Sequence, residues 1–172
     1  MRSALLALLA VVIGSVGLLA EEAKIGYVDS QRIRAEFQEF QDAQAKFDKD
    51  VETWENQAQQ MKVELDELTQ ELENLSLMLS AEKRKEKEES LKAKQDTLQQ
   101  FMDATFGTGG KAERRLAELS KPIRDRVLEV IERIAIENNY SMIFDSGTIS
   151  IAYAKKSLDI TDEVLAELAA EE

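Results

Sequence analysis

The chain contains no histidine and no cysteine. The commonest general base, the thiolate nucleophile, the usual zinc ligands and any disulfide are therefore excluded, as is export as a cysteine-anchored lipoprotein. Basic residues are also scarce: 22 Lys and Arg stand against 34 Asp and Glu, a net charge of −12. A protein that neutralises phosphates needs the opposite balance, so nucleic acid is not an expected partner. The carboxylates fall between apolar positions as solvated helix faces. No catalytic constellation, cofactor or metal site is expected, and the chain does not read as an enzyme. Proline occurs once and tryptophan once, which leaves room for long uninterrupted helices.

Long hydrophobic runs are equally rare. The single case is Ala4–Ala20, preceded by Arg2. A short basic region followed by an apolar one is the pattern of a secretory signal peptide, here 1–20, and implies a periplasmic mature chain. Cleavage fits after Ala20 or after Gly17; a retained anchor is the alternative, at the short limit for a spanning helix. Loss of Arg2 takes the charge to −13.

What the chain has in abundance is helical periodicity. Phe37, Phe40, Gln44, Phe47, Val51, Trp54, Ala58, Met61, Leu65, Leu68, Leu72, Leu75 and Leu79 follow one another in steps of three and four. An average step of 3.5 residues marks a helix whose narrow apolar seam meets a second helix along its length. Such a helix is about 65 Å long at the standard rise, so an arm projects. The residues committed to this arm seam are Phe47, Val51, Trp54, Met61, Leu65, Leu68, Leu72 and Leu75.

The spacing is lost at Leu75–Leu79, and Ser80-Ala81-Glu82 offers a cap and a first-turn carboxylate for a new helix. A tight reversal near 77–81 is expected, with a single continuous rod as the alternative. The return limb carries Leu91, Leu98, Phe101 or Met102, Thr105, Ala112, Leu116, Leu119 and Ile123. Gly107-Thr108-Gly109-Gly110 interrupts it, yet Leu98, Thr105 and Ala112 keep the heptad phase. A weakened turn inside one limb follows. Two readings stay open: the glycines make room for the Trp54 indole opposite, or they form a hinge.

Pro122 permits a fresh helix start, after which Ile123, Val127, Val130, Ile131 and Ile134 give a broader face suited to a globular base. The ends of the chain change period. Lys24–Val28 reads as a strand with Asp29 or Ser30 capping the next helix. Ser141–Asp145 and Thr148–Ala154 read as a hairpin turning at Ser146-Gly147. Thr161 is placed to cap a closing helix over Asp162–Ala170. Domains follow: 21–42 and 120–172 form a β-containing body, and 43–119 a helical hairpin arm. A body of so few residues has little core, and an open sheet leaves strand edges bare. A closed sheet shared between copies answers both. Its oligomer-core candidates are Ile25, Tyr27, Met142, Phe144, Ile149, Ile151 and Tyr153. The fold class is α+β, mainly helical: a long antiparallel hairpin arm on a small β body.

Three segments carry a resemblance to a known family: KIGYVDSQRI at the start, LSAEKRKEKEESLKAKQDTLQQF around the reversal, and LSKPIRDRVLEVIERIAIENNYSMIFDSGTISIAYAKKSLDITDEVLAEL at the end. The chain resembles the Skp/OmpH family of periplasmic chaperones over essentially its whole length. The Asn139-Tyr140 helix exit, the Phe144-Asp145 strand end and Leu158–Leu165 are the most specific residues. The resemblance implies a homotrimer with a shared β-barrel body and helical arms around a cavity. It also implies an ATP-independent holdase whose partners are unfolded outer-membrane proteins. Two departures stand out. Well-known members are basic and this chain is acidic, which argues against contact with an anionic membrane surface; the glycine interruption also departs from the family's return limb. Client-contact candidates are apolar residues off the seam: Val63, Leu77, Met78, Phe101, Met102 and Phe106. A structural or adaptor coiled coil of the envelope is the alternative function.

Overall fold

The computed structural model describes residues 23–75 and 78–171. The leader read at 1–20 and the tip residue Leu77 lie outside them. Strand β1, Lys24–Val28, runs into Asp29, whose carboxylate accepts from the amides of Gln31 and Arg32 at 3.0 Å and so starts helix α1, Ser30–Glu36. Phe37 then takes an extended conformation (φ −77°, ψ 119°) and ends α1. Its ring is buried, edge-on to Phe40 with centroids 6.2 Å apart, and the Arg126 guanidinium lies 5.6 Å from the ring centre. Phe37 thus belongs to the base, and the seam helix α2 is Gln38–Leu75, about 57 Å long at the standard rise.

At the tip the amides of Met78 and Leu79 bond the Leu75 carbonyl at 2.8 and 3.0 Å. The Ser80 hydroxyl accepts from the Lys83 amide at 3.3 Å and starts helix α3, Ala81–Phe106. The two helices run antiparallel, cross-linked by Glu71–Lys87 at 2.8 Å and Glu64–Lys94 at 2.6 Å. This excludes the continuous rod.

The return limb is interrupted at the glycines and forms two helices. After α3 the chain passes through Gly107–Gly110 in non-helical geometry and resumes as α4, Lys111–Glu137. Gly109 sits at φ +68°, where an L side chain is strained. A Cβ on Gly107 would strike the Asp103 carbonyl, and one on Gly110 would meet the carbonyls of Gly107 and Thr105 at 2.6 and 2.8 Å. Those neighbours are the limb's own backbone, which overturns the idea that the glycines clear space for the indole. Ion pairs on either side measure the break. Glu64 faces Lys94 and Asp50 faces Arg115, so fourteen residues of α2 stand beside twenty-one of the return limb. The surplus is one heptad, which is why the apolar phase passes through unshifted.

Pro122 lies inside α4, which runs through it without a break. The fresh start that Pro122 permits is not used; Ile123, Val130 and Ile134 on the same helix are buried in the core. Asn138 closes the helix and Asn139 turns at φ 56°, a left-handed exit that asparagine tolerates better than most residues. Strand β2, Tyr140–Asp145, then pairs parallel with β1, Ile25 beside Met142 and Tyr27 beside Phe144.

The hairpin expected at Ser141–Ala154 is not formed; the only sheet among the described residues is the two-stranded β1-β2. Asp145 shows why. Its carboxylate accepts from the amides of Ser30 at 3.2 Å and Gly147 at 2.9 Å, and its carbonyl accepts from those of Thr148 and Ile149. Ser146 bonds the Val28 carbonyl through both its amide and its hydroxyl. The turn is thereby tied to the end of β1, not reversed onto β2. On the other edge of β1, Tyr27 bridges Asp159, and the Ile160 amide reaches the Tyr27 carbonyl at 3.0 Å.

Lys156–Leu158 makes one 3-10 turn and α5, Thr161–Ala170, closes the chain. Thr161 does not cap it: its hydroxyl donates to Asp159 at 2.5 Å and accepts from the Asp29 amide at 2.9 Å, joining α5 to the first strand. The core lies here, at the base, where Val28, Ile33, Phe37, Ile123, Val130, Ile134, Ile160, Val164 and Leu168 meet. Arg126 spans it, paired with Glu39 on α2 and with Glu171 beyond α5; Arg133 pairs with Glu167 and Glu171.

Two outcomes are expected. Gly109→Ala lowers stability by about 1 kcal/mol through its positive φ, and Gly107→Ala by more, because carbonyls cannot move aside. Thermal unfolding measures this, and unchanged midpoints would reject the fixed-turn account. The second concerns acid. Hydrogen bonds from Arg133 and then Arg126 hold the Glu171 carboxyl below its ordinary range. At Asp145 burial works upward, but bonds from Ser30 and Gly147 outweigh it and the group is lowered. Carboxyls lowered in the folded chain take up protons more readily once unfolded. Their contribution is complete near neutral pH and is lost as pH falls below the ordinary carboxylate range. A Glu171→Gln variant should therefore have a lower melting temperature at neutral pH and lose less of it in acid. An equal acid loss in both proteins would exclude Glu171.

Candidate functional site

Two apolar surfaces remain once the core and the helix pairs are accounted for. The first follows from the alternation of β1 and β2. Gly26, Val28 and Ile143 turn toward the core, while Ile25, Tyr27, Met142 and Phe144 share the other face through the Ile25–Met142 and Tyr27–Phe144 pairs. That outer face is open. Met142 is 54% exposed, Ile25 and Phe144 are also exposed, and Tyr27 is half-buried. An outward strand face usually carries polar side chains, and parallel sheets are usually covered on both faces. Here it is apolar and bare. Ile149 and Tyr153, the latter 83% exposed, extend it into the segment that forms no strand, and Ile151 is half-buried there. Burial and the nearby Asp159 carboxylate both raise the Tyr27 phenol above its ordinary value, so it stays neutral.

The second surface is dispersed along the arm. Of the seam residues, Trp54 and Leu65 are buried, while Phe47, Val51, Met61, Leu68, Leu72 and Leu75 are half-buried. Two parallel rows of side chains in water give this partial cover. Trp54, 6% exposed, lies opposite the glycine break: Phe106 packs edge-on to it at 6.4 Å and Lys111 holds its ammonium 4.8 Å from the ring centre. Part of the Phe106 ring is thus committed to the arm's own packing. Its remainder joins Met102, Leu98 and Ala58 in a shallow depression of about 460 Å³, edged by Glu55 and Lys62. Phe101 is half-buried and Met102 exposed, so Met102 is the one that turns outward. Val63 is exposed, and Met78 at the tip is 83% exposed. Leu77 lies outside the described residues.

The periodicity missed exposed apolar residues on α4. Leu128 and Ile136, the latter 70% exposed, sit eight residues apart and off the face made by Ile123, Val130 and Ile134. Spacing alone held the signal, since both positions, about 80° apart around the helix, fall on the side away from that face. Leu116, placed on the return seam, is also exposed. No helix of the described residues is long and apolar enough to cross a membrane.

The comparisons with known proteins follow the same outline. The family model described as outer membrane protein (OmpH-like) matches residues 24–168. A protein of Aquifex aeolicus (strain VF5), described only as uncharacterized, is 30% identical over 145 residues, covering 82% of this chain and 83% of that one. Among solved structures, an OmpH-like candidate outer membrane chaperone from Caulobacter crescentus CB15 has the same fold. Its TM-score is 0.74 at 15% identity, covering 87% of this chain and 86% of that one. By its family model and by the span that the match covers, the chain belongs to the OmpH-like outer membrane protein family.

Proposed function

We propose that the mature chain is an ATP-independent holdase of the periplasm, which keeps unfolded outer-membrane β-barrel proteins apart between its arms. The observation that carries this reading is the pairing of a bare apolar sheet face with a long arm that ends in solvent. The sheet face is the self-association surface. Ile25, Tyr27, Met142, Phe144, Ile149, Ile151 and Tyr153 form the core shared by three copies, closing the sheet that one copy leaves open. Residues 21–42 and 120–172 are then the trimerisation body and 43–119 the arm. The signal peptide at 1–20 delivers the chain to the compartment where such clients pass.

Holding needs surfaces that are sticky but not closely fitted. Val63, Met78, Met102, the exposed edge of Phe106 and, with them, Phe101 and Leu77 are such positions. Methionine adapts to irregular partners, and the acidic faces between them keep client and chaperone in solution. Single contacts of this kind are weak, and repetition over several arms makes them sufficient by avidity. The net negative charge directs binding toward apolar segments rather than toward an anionic membrane surface.

Two outcomes are expected. The purified mature chain suppresses aggregation of an unfolded outer-membrane barrel without nucleotide; no effect at several-fold excess would reject the holdase and favour an envelope coiled coil. Light scattering gives the mass of three copies, and Met142→Glu lowers it about threefold by placing a charge in the shared core. A monomeric parent protein would refute the shared body.

A further inference from the structure

Two arginines stand apart from the rest. Among the described residues Arg32, Arg84, Arg115, Arg126 and Arg133 each reach a carboxylate, and Arg114 donates to the Gly109 carbonyl at 2.6 Å. Arg34 and Arg124 reach none among those residues, in a chain where acids outnumber bases 34 to 22. Both line the same cavity, of about 600 Å³, between the first turns of α2 and the middle of α4. Phe40, Ala43, Leu116 and Leu119 form its apolar wall. Its single acidic residue, Asp48, already accepts from the Gln44 side-chain amide at 2.7 Å. Across the same helix pair a second depression is lined by Glu39, Asp42 and Glu118, with Lys46 among them. Two guanidiniums against one carboxylate leave this side with a net positive charge.

The volume is that of a site for a small group, and a planar guanidinium matches a carboxylate better than any other anion-binding side chain. We propose that this cleft captures the C-terminal residue of an unfolded polypeptide. Arg34 and Arg124 hold the free carboxylate, and Phe40, Leu116 and Leu119 receive an apolar terminal side chain. The occupant is a chain end rather than a lipid, because a bilayer carries many negative charges toward a strongly acidic protein, whereas a chain end carries one. The proposal rests on the holdase reading and adds to its dispersed contacts one that recognises an end.

The test uses the full mature protein and a labelled ten-residue peptide ending in phenylalanine, as free acid and as C-terminal amide, read by fluorescence anisotropy. The free acid should bind about tenfold more tightly than the amide, and an Arg34→Gln/Arg124→Gln double variant should abolish that preference while still suppressing aggregation of an unfolded barrel. Equal binding of acid and amide to the parent protein overturns the site, as does binding of dodecanoate without binding of either peptide. A changed particle mass in the double variant also overturns it, since the arginines would then serve a contact between copies. Failure of the parent protein to suppress aggregation at all strikes the holdase reading instead, whatever the peptide does.

Discussion

Parallel pairing of β1 with β2 is the constraint on which the rest of the molecule depends. Two parallel strands cannot be joined by a turn; the chain must leave one end of the sheet and come back to the other. A single crossover helix usually does this, covering a face of the sheet on its way. Here the crossover is drawn out into an arm of α2, α3 and α4, and only its ends, with α1 and α5, cover the sheet. One face is therefore buried by Val28, Ile33, Ile134 and Leu168, and among the described residues no helix covers the other. Two strands alone are too few for independent stability. Among the described residues, the bare face and the unpaired outer edge of β2 are consequences of one topology.

The arm meets a different constraint, that of register. Each interhelical ion pair is partly exposed and screened by solvent. The pairs choose an alignment without supplying much stability. That comes from the seam, and the seam is fully closed at few points, chiefly Trp54 and Leu65. The glycine break lies beside the first of these. Because the surplus at the break is one heptad, both helices of the return limb can present their apolar sides to the same α2. Phe106 and Lys111, the residues on either side of the glycines, close over the indole. The turn is held at both ends, and its middle is tied by Glu113 and Arg114, which bond the Gly109 amide and carbonyl.

The arm was legible in the sequence because a helix writes its contacts into every third or fourth residue, and forty residues of repetition leave little ambiguity. The base helix and its buried Ile123, Val130 and Ile134 were legible for the same reason. What failed was short or non-local. Alternation in Thr148–Ala154 is a true β signal, but a strand exists only if a partner presents an edge, and the partner is not encoded in the run itself. Asp145, reaching back to Ser30 across the whole arm, decides the path there. Phe37 is the opposite case: it fitted the seam by spacing yet lies within the body read at 21–42, where Arg126, almost ninety residues away, meets its ring. Glycine spacing announced an interruption but not its geometry, because a one-heptad surplus leaves the pattern unchanged. The Arg34–Arg124 cavity left no mark at all, since a missing ion pair has no sequence signature.

Under the holdase reading, the partial exposure of the arm's apolar residues sets the strength of binding. Phe106 and Met102 already spend much of their surface on their own helices, so what remains to a client is a fraction of a side chain. At about 25 cal/mol per Å² such remnants give well under the value of a buried core residue. No single site can then hold a client segment long enough to trap it, yet an unfolded barrel meets several at once and is rarely free of all. Folding removes its exposed apolar strands from competition, which weakens every contact together and releases it without an energy source. A terminal carboxylate seated between Arg34 and Arg124 would differ in kind. It persists while the rest of the client changes conformation, at the base of the arm where the structure is most constrained.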